Sequence, residues 1–153
     1  GAGKTTLLAA LLGEVDPSDR ILVVEDVLEI PLNSGHVVRL QARPPNVEGQ
    51  GSVTLVDLVR QALRMRPDRV VVGEVRGAEV RELLQALNTG HEGGCATMHA
   101  NKPADVPARL EALGALAGMS PAAVRAQVAT ALKTVVHVAR TPVGRRITAI
   151  EDL

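Results

Sequence analysis

The chain opens Gly1-Ala2-Gly3-Lys4-Thr5-Thr6-Leu7-Leu8-Ala9-Ala10-Leu11-Leu12. Gly3-Lys4-Thr5 closes a phosphate-binding loop of the form G-x-x-x-x-G-K-[ST], and the first glycine of that pattern would lie three residues upstream of Gly1. The residue types follow from the chemistry. Glycine lets the backbone wrap phosphate oxygens and aim N–H groups at them. A lysine at position 4 reaches β- and γ-phosphates as a point charge, and the Thr5 hydroxyl is placed for Mg²⁺. The apolar run from Leu7 predicts a helix over 4–14 whose N-terminus faces the anion. Gly1, Ala2, Gly3, Lys4, Thr5 and Thr6 are therefore the candidate nucleotide-binding residues.

Outward from this loop, helical and strand patterns alternate, which predicts an α/β fold with a largely parallel sheet. Strands are expected at 20–25, 69–74 and within 91–100, and a further one at 36–42, with an antiparallel direction left open for it. Arg43-Pro44-Pro45-Asn46 through Gly51 reads as an exposed loop. Thr54 and Asp57 have capping-box character before a helix to about Arg66, with Leu55, Val59, Ala62 and Met65 striping its buried face. Helices are also expected over 78–88, around Val106–Ala117, and from Ser120-Pro121 to about Lys133. A terminal hairpin over 134–140 and 146–151 closes the chain.

Composition narrows the function. Hydrophobic residues make up 46% and charged residues 22%, as in a globular domain. The 17 basic and 17 acidic residues cancel, so no basic excess points to nucleic acid as a direct partner. There is no Phe, Tyr or Trp to stack on a base. Cys95 is the only cysteine, which excludes an internal disulfide and fits the cytosol. No apolar run approaches the ~20 residues needed to cross a bilayer.

Phosphoryl chemistry needs carboxylates beside the loop, and the ends of parallel strands are where such sheets bind ligands. Strand 20–25 delivers Glu25-Asp26 and then Glu29, and strand 69–74 delivers Glu74. Either Glu25 or Asp26 could equally be an exposed turn acid. His99 lies just past a predicted strand, as a phosphate sensor would. Cys95 and His99 lack the third and fourth ligands of a zinc site. Asn101-Lys102-Pro103-Ala104-Asp105 misses the guanine-recognition pattern by one place, which favours ATP over GTP.

In combination these boxes resemble the type II/IV secretion ATPases. Glu25-Asp26-Val27-Leu28-Glu29 is similar to the family's acidic box, Gly73-Glu74-Val75-Arg76-Gly77 to its atypical Walker B, and Thr89-Gly90-His91-Glu92-Gly93-Gly94 with Thr97-Met98-His99-Ala100-Asn101 to its His box. The stretches 43–49 and 63–69 resemble the Tad/Flp pilus assembly branch, with conjugation-type ATPases as close relatives. The resemblance implies that residues 1–153 are a C-terminal RecA-like P-loop motor domain beginning inside its Walker A motif, with an N-terminal domain elsewhere. It implies ATP and Mg²⁺ as cofactors and a homohexamer. It also implies an inner-membrane platform protein as partner, and a cytoplasmic location peripheral to that membrane. Glu29 then corresponds to the catalytic glutamate, Glu74 to the acid holding the Mg²⁺ shell with Thr5, and His99 to the phosphate-sensing histidine. Arg39, Arg43, Arg60 and Arg64 are candidate phosphate-contacting arginines, the alternative for Arg60 and Arg64 being a solvated helix face. Residues 1–153 alone are expected to fold but to hydrolyse little. A departure is that the paired-cysteine motifs of many pilus motors are absent. The competing readings are a nucleic-acid motor on the same scaffold and a non-catalytic nucleotide-binding module.

Overall fold

A computed structural model describes residues 2–32, 35–91 and 93–153. Helix α1 (Lys4–Gly13) leads into strand β1 (Arg20–Glu25), followed by β2 (His36–Gln41), α2 (Leu55–Arg64), β3 (Arg69–Val72), α3 (Val80–Asn88) and β4 (Cys95–Ala96). A 3₁₀ turn (Pro103–Asp105) precedes α4 (Val106–Leu116) and α5 (Pro121–Ala131), and the hairpin strands β5 (Thr134–Thr141) and β6 (Gly144–Asp152) form a second, two-stranded sheet.

The central sheet has the order β2-β1-β3-β4, and every neighbouring pair is parallel. The antiparallel alternative for β2 is corrected: His36 lies opposite Arg20 and Gln41 opposite Glu25. Segment 26–35 can span roughly 33 Å when extended, more than the roughly 20 Å rise of a six-residue strand, so the chain can return to the start of β1 before β2 begins. Two strands are shorter than the sequence implies. β3 stops at Val72 instead of reaching Glu74, and β4 takes only Cys95–Ala96 of the window 91–100.

Continuous apolar strands reflect burial on both faces. Side chains alternate across the sheet. Leu22, Val24 and Val72 face one way, into a core with Val59 and Ala62 of α2, Leu83 and Leu84 of α3, Leu110 and Leu113 of α4, and Val124 of α5. Ile21, Val23 and Val71 face the other way and pack on Leu8 and Leu12 of α1, four residues apart on one helix face. The observed α2 stripe is Leu55, Leu58, Val59 and Ala62, with Met65 at its edge. Its capping box forms as read: the Asp57 amide donates to Thr54 Oγ1 at 3.2 Å and the Thr54 amide donates to Asp57 Oδ2 at 3.0 Å. Ser120 caps α5 by accepting from the Ala123 amide at 3.2 Å.

Where β1 ends, Glu25 is only 3% exposed. One of its oxygens accepts from the amides of Glu29 (2.9 Å) and Ile30 (3.0 Å), and the other accepts from Arg39 of β2 at 3.0 Å. The carboxylate thus fixes the loop after β1 and ties it to the sheet edge. It is neither an exposed turn acid nor free to act on a ligand. Gly73, at the end of β3, makes room for it, since a Cβ there would lie 2.8 Å from Glu25 Cγ.

Thr54→Ala removes one side of the capping box and is expected to cost about 1 kcal/mol in denaturant unfolding. Gly73→Ala forces a methyl against a carboxylate pinned by three hydrogen bonds, and a loss of about 1–3 kcal/mol is expected in the same measurement. Wild-type stability in Gly73→Ala would contradict the close approach.

Candidate active site

Parallel strands end on one edge of a sheet, and here that edge gathers the loops after β1, β3 and β4 around the N-terminus of α1. They enclose a cleft of about 350 Å³ lined by the phosphate-loop residues together with Asp26, Glu29, Glu74, Arg76, Thr97, His99 and Arg145. Gly3 precedes α1 at φ 101°, a left-handed conformation that glycine adopts without strain. The Leu7 amide donates to Gly3 O at 3.0 Å, so the amides of the first turn before it have no partner within the helix. Ala2, Gly3, Lys4, Thr5 and Thr6 all line the cleft, while Gly1 lies outside the described residues.

A chain of charged side chains crosses the cleft. Lys4 Nζ is 3.5 Å from His99 Nδ1, and His99 Nε2 is 2.7 Å from Glu74 Oε1. A proton on Nε2 and a lone pair on Nδ1 satisfy both neighbours: Nε2–H donates to Glu74 and Nδ1 accepts from the Lys4 ammonium. The second Glu74 oxygen accepts from the Arg76 guanidinium, which also lies 3.8 Å from Asp26. The hydrogen bond and charge of Glu74, with smaller contributions from Asp26 and Glu29, raise the Arg76 pKa above its ordinary value. Glu74 is the half-buried centre of the chain, at 17% side-chain exposure between partners far more exposed.

The backbone around Glu74 is held by its own acids and hydroxyls. Buried Glu79 accepts from the amides of Arg76 (2.6 Å) and Gly77 (2.9 Å), shaping the turn into α3. Thr97 donates its hydroxyl to Gly73 O, joining the ends of β3 and β4. Glu29 sits in the cleft at the end of the loop that Glu25 fixes, and among the described residues no hydrogen bond or ion pair holds its carboxylate. Cys95 is no ligand partner for His99: burial pushes its thiol up to about 11, and His99 turns to Glu74 instead. Among the described residues no group of three His, Cys, Asp or Glu side chains is placed to hold a metal. Mg²⁺ makes no such demand, since it keeps most of its water and needs only one or two protein oxygens. The Thr5 hydroxyl and the Glu74 carboxylate, both lining the cleft, fit that requirement.

The four arginines singled out from the sequence are not gathered here within one chain. Arg39 is held by Glu25 behind the loop. Arg43 donates to Gly51 O at 2.8 Å within its own loop. Arg60 pairs with Glu82 at 2.7 Å and, with Arg64, lines a separate shallow groove on α2 and α3. The cleft arginines are instead Arg76 and Arg145. Arg76 could have been found from its place two residues after Glu74. Arg145 carries no local signal, because only the packing of the hairpin brings it in.

Comparison with known proteins places this arrangement. A profile of the family described as "Type II/IV secretion system protein" matches residues 1–148. A Mycobacterium tuberculosis protein named "Putative conjugal transfer protein" is 64% identical over 146 residues, covering 95% of this chain and 42% of its own length. The crystal structure of the VirB11 ATPase from the Brucella suis type IV secretion system, in complex with sulphate, superposes with a TM-score of 0.86 at 28% identity, over 99% of this chain and 45% of that one. The pilus retraction motor PilT with bound ADP superposes at 0.73 and 28% identity, over 100% of this chain and 44% of that one. The chain thus spans less than half the length of these relatives. With a RecA-like α/β sheet, a phosphate loop at the strand ends and a family profile running through nearly all of its length, the chain belongs to the type II/IV secretion ATPase family.

Proposed function

We propose that this chain is the ATP-hydrolysing domain of a motor that powers pilus assembly or secretion at a membrane. The observation that carries the reading is the convergence of Lys4, His99 and Glu74 on one cleft beside Gly3, lined also by Glu29, whose carboxylate has no hydrogen bond or ion pair among the described residues. Lys4 and the first-turn amides of α1 hold the β- and γ-phosphates. Thr5 and Glu74 would hold Mg²⁺, Glu74 through water, and the ion would neutralise phosphate charge. Glu29 orients the attacking water. Among the described residues its carboxylate has no hydrogen-bond or ion-pair partner, whereas both oxygens of Glu74 are engaged, and that difference supports giving the water to Glu29 and the metal to Glu74. His99 lies between the phosphate-binding lysine and the Mg²⁺ acid, a position from which it reads whether the terminal phosphate is present.

Further out, the same reading makes the complete protein a homohexamer that works on an inner-membrane platform protein from the cytoplasmic side. No helix among the described residues is long and apolar enough to cross a membrane. Service to a Tad/Flp pilus rests on the stretches 43–49 and 63–69. A nucleic-acid motor is the alternative, and the equal numbers of acidic and basic residues count against it.

Lys4→Ala in the complete protein is expected to abolish ATP binding in a fluorescent-nucleotide titration. Retained affinity would remove the phosphate-loop assignment. Glu29→Gln keeps shape and removes the base, so it is expected to bind ATP normally and turn over at least ~10²-fold more slowly. Glu74→Gln is expected to raise the Mg²⁺ concentration needed for half-maximal rate. Full turnover in Glu29→Gln would reverse the roles, and an ATPase rate that rises steeply with added DNA would favour the alternative motor.

A further inference from the structure

Arg145 is the cleft residue that the reading above leaves without a task. It follows Gly144, which adopts φ 111° just after the two-residue turn Pro142-Val143, and it pairs across the hairpin with Arg140. Its side chain leaves the second sheet and lies on the phosphate loop. A Cβ built on Gly3 would meet Arg145 Cδ at 3.1 Å, with Arg145 Cβ and Cγ both at 3.8 Å. The stem therefore packs against the glycine that opens α1, and the guanidinium lies one covalent step beyond.

The other two cations lining this cleft are engaged: Lys4 with His99, Arg76 with Glu74 and Asp26. Arg145 makes no hydrogen bond or ion pair among the described residues, although Asp26, Glu29 and Glu74 line the same cleft. A guanidinium is a planar fork of donors suited to two oxygens of one phosphate. Here its stem is held against the backbone whose amides face the anion, and its donors are unspent.

We propose that Arg145 is a phosphate-binding residue of this cleft, carried onto the phosphate loop by the C-terminal hairpin. Bound nucleotide then bridges the hairpin to the central sheet. Gly3 is required twice, for its left-handed backbone and for the arginine stem lying on it. This inference rests on the nucleotide-binding reading and adds to it a second cation from a separate sheet.

The test is a titration of the complete protein with a fluorescent ATP analogue, followed by displacement with tripolyphosphate, which carries phosphates without base or ribose. Arg145→Ala is expected to weaken both by about tenfold or more, and Arg145→Lys, which keeps the charge and loses the fork, to fall between. Arg140→Ala removes a charge from the same hairpin and is expected to bind as wild type. Thermal melting with unchanged midpoints confirms that the exposed substitutions leave the fold intact. Wild-type affinity in Arg145→Ala, with Lys4→Ala abolishing binding, overturns the inference and leaves the nucleotide reading standing. A loss for ATP but not for tripolyphosphate overturns it in favour of a base or ribose contact, and an equal loss in Arg140→Ala overturns it in favour of long-range charge. Absence of nucleotide binding in the wild-type protein overturns both readings.

Discussion

The carboxylate of Glu25 is buried where β1, β2 and β3 end together, and the geometry of the cleft depends on it. A buried charge is tolerable only when its partners are complete. Two loop amides and the Arg39 guanidinium supply them. In doing so they bend the chain after β1 so that Asp26 and Glu29 face the phosphate loop. Gly73 yields the space, and its neighbour Glu74 lines the cleft with them. One buried acid thus braces the loop that carries Asp26 and Glu29, and it lines the cleft with both of its own oxygens already engaged.

Across that cleft, charge is arranged as a relay rather than a patch. Lys4, His99, Glu74, Arg76 and Asp26 alternate in character, and each neighbour compensates the next. In the proposed reading, an anion at Lys4 would compete with His99 for the ammonium, and His99 in turn contacts Glu74. Coupling of this kind needs contiguous polar contacts and a half-buried centre where the field is weakly screened. Glu74 occupies that place. The network lies across the ends of separate strands and joins α1, the acidic loop and the turn into α3.

Much of this was legible in the residues. The phosphate loop, the helix after it, the buried strands and the capping box of α2 each rest on local chemistry, and local chemistry survives folding. Lys4, Glu29, Glu74 and His99 could be nominated because each follows a strand or opens a helix in an alternating α/β chain. The four arginines were harder. An arginine's reach is long and its surroundings are set by distant elements, so Arg60 on α2 finds Glu82 on α3 and Arg39 finds Glu25. The parallel direction of β2 was not legible either, because alternation along a strand is the same in both directions.

By itself, then, the sequence determined the fold class, the phosphate loop, the acids and the histidine available for chemistry, and the absence of Phe, Tyr and Trp. These depend on residue type, spacing and hydrophobic period, all of which are written along the chain. Tertiary structure alone decided which acid is a brace and which keeps its carboxylate unengaged among the described residues: Glu25 and Glu29 are the same residue type four places apart. It also decided that Arg76 and Arg145 line the cleft while Arg39, Arg43, Arg60 and Arg64 do not. The reason is physical. The role of a charged side chain depends on burial and on partners far away in sequence, and those exist only once the strands have been laid side by side and the hairpin has packed against the loop.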